Sequence, residues 1–227
     1  MTSPDIKKTH LKQDVTVAVD NCIFTIKDDK LHILLIQMKQ KFPGKWALPG
    51  GLVHNDETLD DAAERILKDQ TGVSGIYLEQ LYSFSKLKRD PFGRVVSVAY
   101  YALMPSANVK LKTTDKYQSV KWFEFSQTPQ LAYDHNEIAE YAKKRLESKI
   151  SYTNAVWSLL PEKFTLSQLQ AVYEAILGKN LDKRNFRKKF IGLGIIEPIG
   201  EKALFGAHRP AALYKFKTTD QEIVKIV

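Results

Sequence analysis

The feature that most narrows the folds open to this chain is a glycine break that feeds a helix: Pro49-Gly50-Gly51, then the run Thr58 to Gln70. In that run Leu59, Ala62, Ala63, Ile66 and Leu67 recur at the spacing that gathers apolar side chains on one helical face, and Gly72 supplies the stop. The flanks have a different periodicity. Asp14 to Ile26 and Leu31 to Lys39 alternate or run apolar with β-branched residues, and the turn-like Lys27-Asp-Asp-Lys30 between them predicts a hairpin. Leu78 to Phe84, Val95 to Met104 and Val120 to Phe125 read as further strands. Asp134-His-Asn-Glu137 matches a capping box and opens a helix that runs to about Lys149. Strands, helix, strands, helix in that order predict an α/β (α+β) unit: a mixed sheet sandwiched by helices.

The last third is organised differently. Ile150 to Asn154 has no Pro, Gly or Ser-rich stretch, so the junction is short and stiff. Thr153 to Leu160 predicts a short helix stopped at Pro161. Thr165-Leu-Ser-Gln168 is a second capping box, and Leu166, Leu169, Val172, Tyr173 and Ile176 face inward on the helix that follows. A turn at Gly178-Lys-Asn180 leads to a third helix, Leu181 to about Leu193. The strands Ile195 to Ile199 and Ala212 to Lys217 complete a winged helix-turn-helix. The expected division is an N-terminal arm at 1–13, a first domain at 14–150 and a second at 151–227.

Charge separates the two parts. Of 34 Lys and Arg and 26 Asp and Glu in 227 residues, the segment from Ser151 onward holds 12 and 7, so it carries +5 of the net +8. Phe186, Phe190 and Leu193 share one face of the third helix and Arg184, Arg187 and Lys188 the opposite one, with Lys183 and Lys189 flanking. A helix anchored by aromatics and lined outside with cations fits the major groove, where Arg grips guanine and Asn185 can pair an adenine edge. His208 and Arg209 lie where a wing tip would meet minor groove or backbone. For an isolated run a merely solvated basic face would be the simpler reading; here the turn, the preceding helix and the wing frame the same helix. A composition of 44% hydrophobic and 26% charged residues excludes disordered and collagen-like chains. Cys22 stands alone, which fits a reducing cytoplasm, and no apolar run approaches the ~18 residues of a membrane span. The histidines show no ligand spacing, so no zinc site is expected.

Gly51-x5-Glu57-x7-Arg65, followed by Leu67, Gly72 and Val73, tracks the pattern G-x5-E-x7-R-E-U-x-E-E-x-G-U, and in this the first domain resembles the Nudix family. Lys45-Trp-Ala-Leu-Pro49 is similar too. The resemblance implies a site for a nucleoside diphosphate linked to another group, its pyrophosphate on this loop and helix, with Glu57 and Arg65 as a brace. In Nudix hydrolases the acids after the arginine hold Mg²⁺ and orient the attacking water; the matching positions here are Ile66, Asp69 and Gln70. One short carboxylate is a poor Mg²⁺ site. The expectation is a binder with no catalytic residue, no metal and no required cofactor.

Joined to a winged helix, the domain resembles the Nudix-related transcriptional regulators of NAD metabolism, the NrtR family, over nearly the whole chain. Arg89-Asp-Pro-Phe-Gly-Arg94, Tyr133-Asp-His-Asn-Glu137, Lys149-Ile-Ser-Tyr-Thr153 and Leu181-Asp-Lys-Arg-Asn-Phe-Arg187 are particularly similar. The resemblance implies a cytoplasmic homodimeric repressor on a palindromic operator in double-stranded DNA, with ADP-ribose or a related NAD-derived diphosphate as effector. Expected ligand contacts are Trp46, Gly50, Gly51, Arg65, Arg89 and Arg94. Trp46 could stack on adenine or sit in the core, and the arginines of the 89–94 turn could meet phosphate or pair with Asp90. Expected DNA contacts are Thr165, Lys183, Arg184, Asn185, Arg187, Lys188, Lys189, His208 and Arg209. The short junction predicts that ligand binding changes the angle between the two recognition helices of the dimer. Two other readings stay open: a Mg²⁺-dependent pyrophosphatase releasing AMP from ADP-ribose, and an adaptor whose winged helix meets a protein.

Overall fold

The computed structural model describes residues 14–105, 111–203, 210–220, 222–224 and 226. The expected arm at 1–13, and His208 and Arg209, lie outside the described residues. Strands β1 (Thr16–Lys27) and β2 (Lys30–Met38) form the expected hairpin. Asp28 and Asp29 in its turn have φ of 51° and 56°, the left-handed pair whose twist matches that of the strands. Two short strands, β3 (Trp46–Ala47) and β4 (Gly50–Leu52), pair with β2 and β1 where the sequence predicts only loop. The glycine break is thereby held in register with the sheet. After helix α1 (Leu59–Thr71) come β5 (Glu79–Phe84) and β6 (Val95–Leu103), and β6 lies parallel to β1. With β7 (Tyr117–Glu124) on β2, the result is a seven-stranded mixed sheet.

Alternation along the central strands splits the core into two layers. Val19, Ile23, Val98, Tyr100 and Ala102 meet the buried Ala62, Ala63, Ile66 and Leu67 of α1. Cys22, Phe24, Ala99 and Tyr101 face the other way, under Ile138, Ala139, Ala142 and Leu146 of α2 (His135–Tyr152). Thr58 and Asp61 close a reciprocal capping box at the start of α1, and Gly72 at φ 76° ends it.

Helix α2 departs from its expected start. Asp134 makes no side-chain cap, because its carboxylate is taken by Arg89, and Glu137 pairs with Lys86 at 2.5 Å instead of closing a box. The helix runs on to Tyr152, so the expected division at 150/151 falls inside it.

The next segment, Ala155–Leu159, is a 3-10 turn in place of the expected helix. Helix α3 (Leu166–Leu177) begins on the Thr165–Gln168 box. Helix α4 (Lys183–Leu193) starts two residues later than Leu181, since the Asp182 carboxylate caps it by accepting the Asn185 N–H at 2.8 Å. Strands β9 (Ile196–Ala203) and β10 (Ala211–Phe216) form the wing, and a third strand not expected from the sequence, β8 (Phe164–Thr165), adds to β10. Tyr173, Phe186 and Phe190 pack with ring centroids 4.5, 5.2 and 5.5 Å apart, which fixes α4 against α3.

The two parts share one core: a single apolar cluster runs from Cys22 and Phe24 through α2 to Leu169, Phe190 and Ile196. The C-terminal segment folds back over the junction. Thr153 bridges to Ile223, the Glu222 N–H donates to Asn154 Oδ1 at 2.9 Å, and the Val224 N–H donates to the Tyr152 carbonyl at 2.7 Å. Among the described residues no helix is long and apolar enough to cross a membrane.

Candidate functional site

A cavity of about 270 Å³ opens beside Gly50 and Gly51, between β1, β2 and the start of α2. Its floor is a buried ionic network. Arg89 Nη2 donates to Asp20 Oδ2 at 3.1 Å and to Asp134 Oδ1 at 2.7 Å, and its Nε donates to Asp134 Oδ2 at 2.9 Å. The Ser97 hydroxyl donates to Asp20 Oδ2 at 2.6 Å. His135 Nδ1 accepts the Leu48 N–H at 3.0 Å, and its Nε2 stands 3.3 Å from Asp20 Oδ1. Burial alone would raise the Asp20 pKa; His135, Arg89 and Ser97 outweigh it and hold the carboxyl at about 2. This floor is buried, and both its carboxylates are paired with Arg89.

The walls and mouth have the opposite character. Lys39, Lys41 and Lys116 stand among the lining residues and are exposed. Tyr133 lies edge-on to Phe42 at 4.8 Å and against His135 at 5.1 Å. Its φ of 54° is rare for a bulky side chain, a strained backbone of the kind that clusters at binding sites. Gly50 stands opposite Asp20 in the β1–β4 register, and a Cβ there would lie 2.1 Å from Asp20 Oδ1. Only glycine fits.

Helix α1 holds the break from behind. The Gly50 N–H donates to Gln70 Oε1 at 3.0 Å, and Gln70 Nε2 donates to the Gly50 carbonyl at 2.7 Å. Further out, Arg65 grips Glu57 with Nε and Nη2 at 2.7 and 2.6 Å. That guanidinium holds the Glu57 carboxyl down at about 2. The brace implied by the family pattern is present.

Of the six residues expected at the ligand, Gly50, Gly51 and Arg89 line the cavity, whereas Trp46, Arg65 and Arg94 are absent from its lining. Trp46 packs edge-on to Phe123 at 4.6 Å, on the core alternative that the sequence left open. Arg65 is spent on Glu57 and on the Leu52 carbonyl at 3.1 Å. Arg94 Nη1 donates to the Ser85 and Lys86 carbonyls at 3.0 and 3.3 Å. Arg89 pairs with Asp20 and Asp134, not with its neighbour Asp90, whose carboxylate instead accepts the Phe92 N–H at 2.7 Å. Sequence reasoning missed Asp20, Tyr133 and His135. An acid inside the apolar run of β1 was the available signal for the first; the other two stood in a segment read as similar to the NrtR family, His135 also within a helix start, and were given no ligand role.

On the winged helix, Lys183, Arg184, Asn185, Lys188 and Lys189 are exposed along α4. Arg187 is half-buried and donates through Nη2 to the Ser167 hydroxyl at 2.9 Å, bridging the two helices. Thr165 needs correction as a DNA contact. It is 3% exposed, and its hydroxyl accepts the Gln168 N–H at 3.2 Å and donates to Gln168 Oε1 at 3.1 Å. The exposed side chain at that end of α3 is Ser167. Between the helices, Gln170 Nε2 donates to the Leu181 carbonyl at 2.9 Å and the Leu181 N–H donates to Glu174 Oε1 at 2.8 Å, clamping the turn.

Family models match both parts, a NUDIX domain over residues 16–145 and the NrtR DNA-binding winged helix domain over residues 156–216. The chain is 39% identical over 212 residues to the ADPR-responsive transcriptional repressor NtrR of Acinetobacter baylyi, covering 91% of this chain and 84% of that protein. The crystal structure of Shewanella oneidensis NrtR complexed with a 27mer DNA is similar at 34% identity and TM-score 0.74, over 88% of this chain and 93% of that one. The cocrystal structure of that protein's NUDIX domain with ADP ribose is similar at 35% identity and TM-score 0.55, over 59% of this chain and 90% of the domain. With a Nudix sheet and an NrtR-type winged helix built on one core, and a relative aligned along almost its whole length, the chain belongs to the NrtR family of Nudix-related transcriptional regulators.

Proposed function

We propose that this protein is an ADP-ribose-responsive transcriptional repressor of NAD metabolism genes that binds a palindromic operator as a cytoplasmic homodimer. The observation that carries the reading is the pairing, in one chain with one core, of a lysine-rimmed cavity on the Gly50-Gly51 break and a cationic recognition helix. Similarity to a repressor named for ADPR and to structures holding DNA and ADP ribose supports it. Residues 14–150 form the effector domain and 151–227 the DNA domain. In the first, the glycine break and the lysines at 39, 41 and 116 receive the diphosphate, while Tyr133 offers a ring face. Arg89 acts through Asp20 and Asp134, which it holds in place. The domain binds without hydrolysing.

In the second domain, Lys183, Arg184, Asn185, Lys188 and Lys189 meet the major groove, and Arg187 and Ser167 secure the approach of α3. Operator binding is measured by fluorescence anisotropy on a duplex selected from a random pool, with and without ADP-ribose. Saturating ADP-ribose is expected to weaken binding by about tenfold, within the range of allosteric coupling. An affinity that does not move with ligand refutes the reading. Lys188→Ala is expected to weaken binding to every sequence alike and to lower the slope of log affinity against log salt by about 0.9. Arg184→Ala is expected to cost about 1–3 kcal/mol and to relax the preference at one base pair.

A further inference from the structure

The Nudix fold implies Mg²⁺ at α1, and the donors this chain offers do not fit it. Mg²⁺ asks for a near-octahedral set of oxygens, with one or two carboxylates free to bind it. Ile66, at one of the three matching positions, is 1% exposed and wholly apolar. Gln70, at another, spends both ends of its amide on the Gly50 backbone. Glu57 is committed to Arg65, Asp61 to the Thr58 cap, and Asp60 accepts the Tyr100 hydroxyl at 2.5 Å. On the cavity floor Asp20 and Asp134 are saturated by Arg89, Ser97 and the His135 ring. Among the described residues no cluster of three or more His, Cys, Asp or Glu could hold a metal ion.

From this we infer that the cavity binds its diphosphate ligand without any divalent cation, resting on the effector reading above. Two features take over the work of a metal. The first is mechanical: Gln70 fixes the position of Gly50 through two neutral hydrogen bonds, so the loop has its binding shape before any ion or ligand arrives. The second is electrostatic. A carboxylate at position 70 would repel a diphosphate unless a cation stood between them; an amide does not, and Lys39, Lys41 and Lys116 supply the positive charge from the protein itself. The sensor then reports nucleotide concentration regardless of the free magnesium level.

Isothermal titration of the full chain with ADP-ribose, once in EDTA and once in millimolar MgCl₂, tests this. Dissociation constants agreeing within about twofold are expected. Binding seen only with Mg²⁺ overturns the inference and leaves the effector reading intact. No binding in either buffer overturns the effector reading and this inference with it. Gln70→Glu is expected to weaken binding in EDTA by at least about tenfold and to regain part of the loss on adding Mg²⁺. Unchanged affinity in a folded Gln70→Glu protein would refute the role given to the amide. Should that variant fail to fold, the wild-type comparison still decides the metal question.

Discussion

Arg89→Met is expected to destabilise the fold by about 3–5 kcal/mol and to abolish ADP-ribose binding, as measured by urea denaturation and by calorimetry. The Arg89 side chain is 4% exposed and pairs with two carboxylates, of which Asp20 is 6% exposed. Methionine fills much of the same volume but leaves both acids in a dry site without a cation, so the cost is mainly unpaired charge and only slightly packing. The pH dependence gives the cause away. Asp20 titrates near 2 in the folded chain against about 3.9 for an ordinary aspartate, so the native state holds this proton more weakly than the unfolded state. Its contribution to stability is therefore complete above pH ~4 and is lost as pH falls towards ~2. Without Arg89 the carboxyl binds its proton more readily, so the gap between variant and wild type should narrow on acidification. A loss below about 1 kcal/mol, or one that does not change with pH, would mean that water reaches the network and screens it.

Gly50→Ala should have the second large effect, at least about tenfold on ADP-ribose affinity together with roughly 1–3 kcal/mol of stability. The new methyl would sit 2.1 Å from Asp20 Oδ1 and 3.0 Å from the Val19 carbonyl. One is a side chain locked by Arg89 and the other is backbone in the central strand, so neither can yield without opening the floor. The same substitution at the adjacent position makes a sharp control. A Cβ on Gly51 would lie 3.5 Å from Ile66 Cδ1, an ordinary contact, and Gly51→Ala should cost far less stability. Equal effects at 50 and 51 would show that chain flexibility, and not the approach to Asp20, is what the glycines provide.

The difference between these neighbouring glycines shows where the sequence could be read and where it could not. Periodicity over Thr58–Gln70 and alternation along β1, β2 and β6 depend on near neighbours, and the structure agrees with them to within a few residues. Capping boxes are local as well, which is why the one at Thr165 formed. The one at Asp134 did not, because Arg89, 45 residues away in the chain, competes for the same carboxylate and wins with two hydrogen bonds to one guanidinium. The floor of the cavity was illegible for that reason. Asp20 and Arg89 are 69 positions apart, and nothing in either neighbourhood announces the other. The recognition helix lay at the opposite extreme: its amphipathic split between Phe186, Phe190 and the cations is written in eleven consecutive residues.

Helix α2 has a mechanical consequence. Its first residue, His135, and the preceding Asp134 are part of the cavity floor, and its last, Tyr152, is bonded to the returning C-terminal segment at the base of the winged helix. Eighteen residues at ~1.5 Å each make a rod about 27 Å long. A ligand that tilted the floor end by ~5° would swing the far end by about 2 Å, enough to spoil hydrogen bonds to base edges that tolerate a few tenths of an ångström. Across a two-fold axis the paired displacements would run in opposite directions, so the separation of two recognition helices would change by more than either helix moves. In such a machine the nucleotide is weighed at the short arm of a lever and the answer is read, magnified, at the DNA.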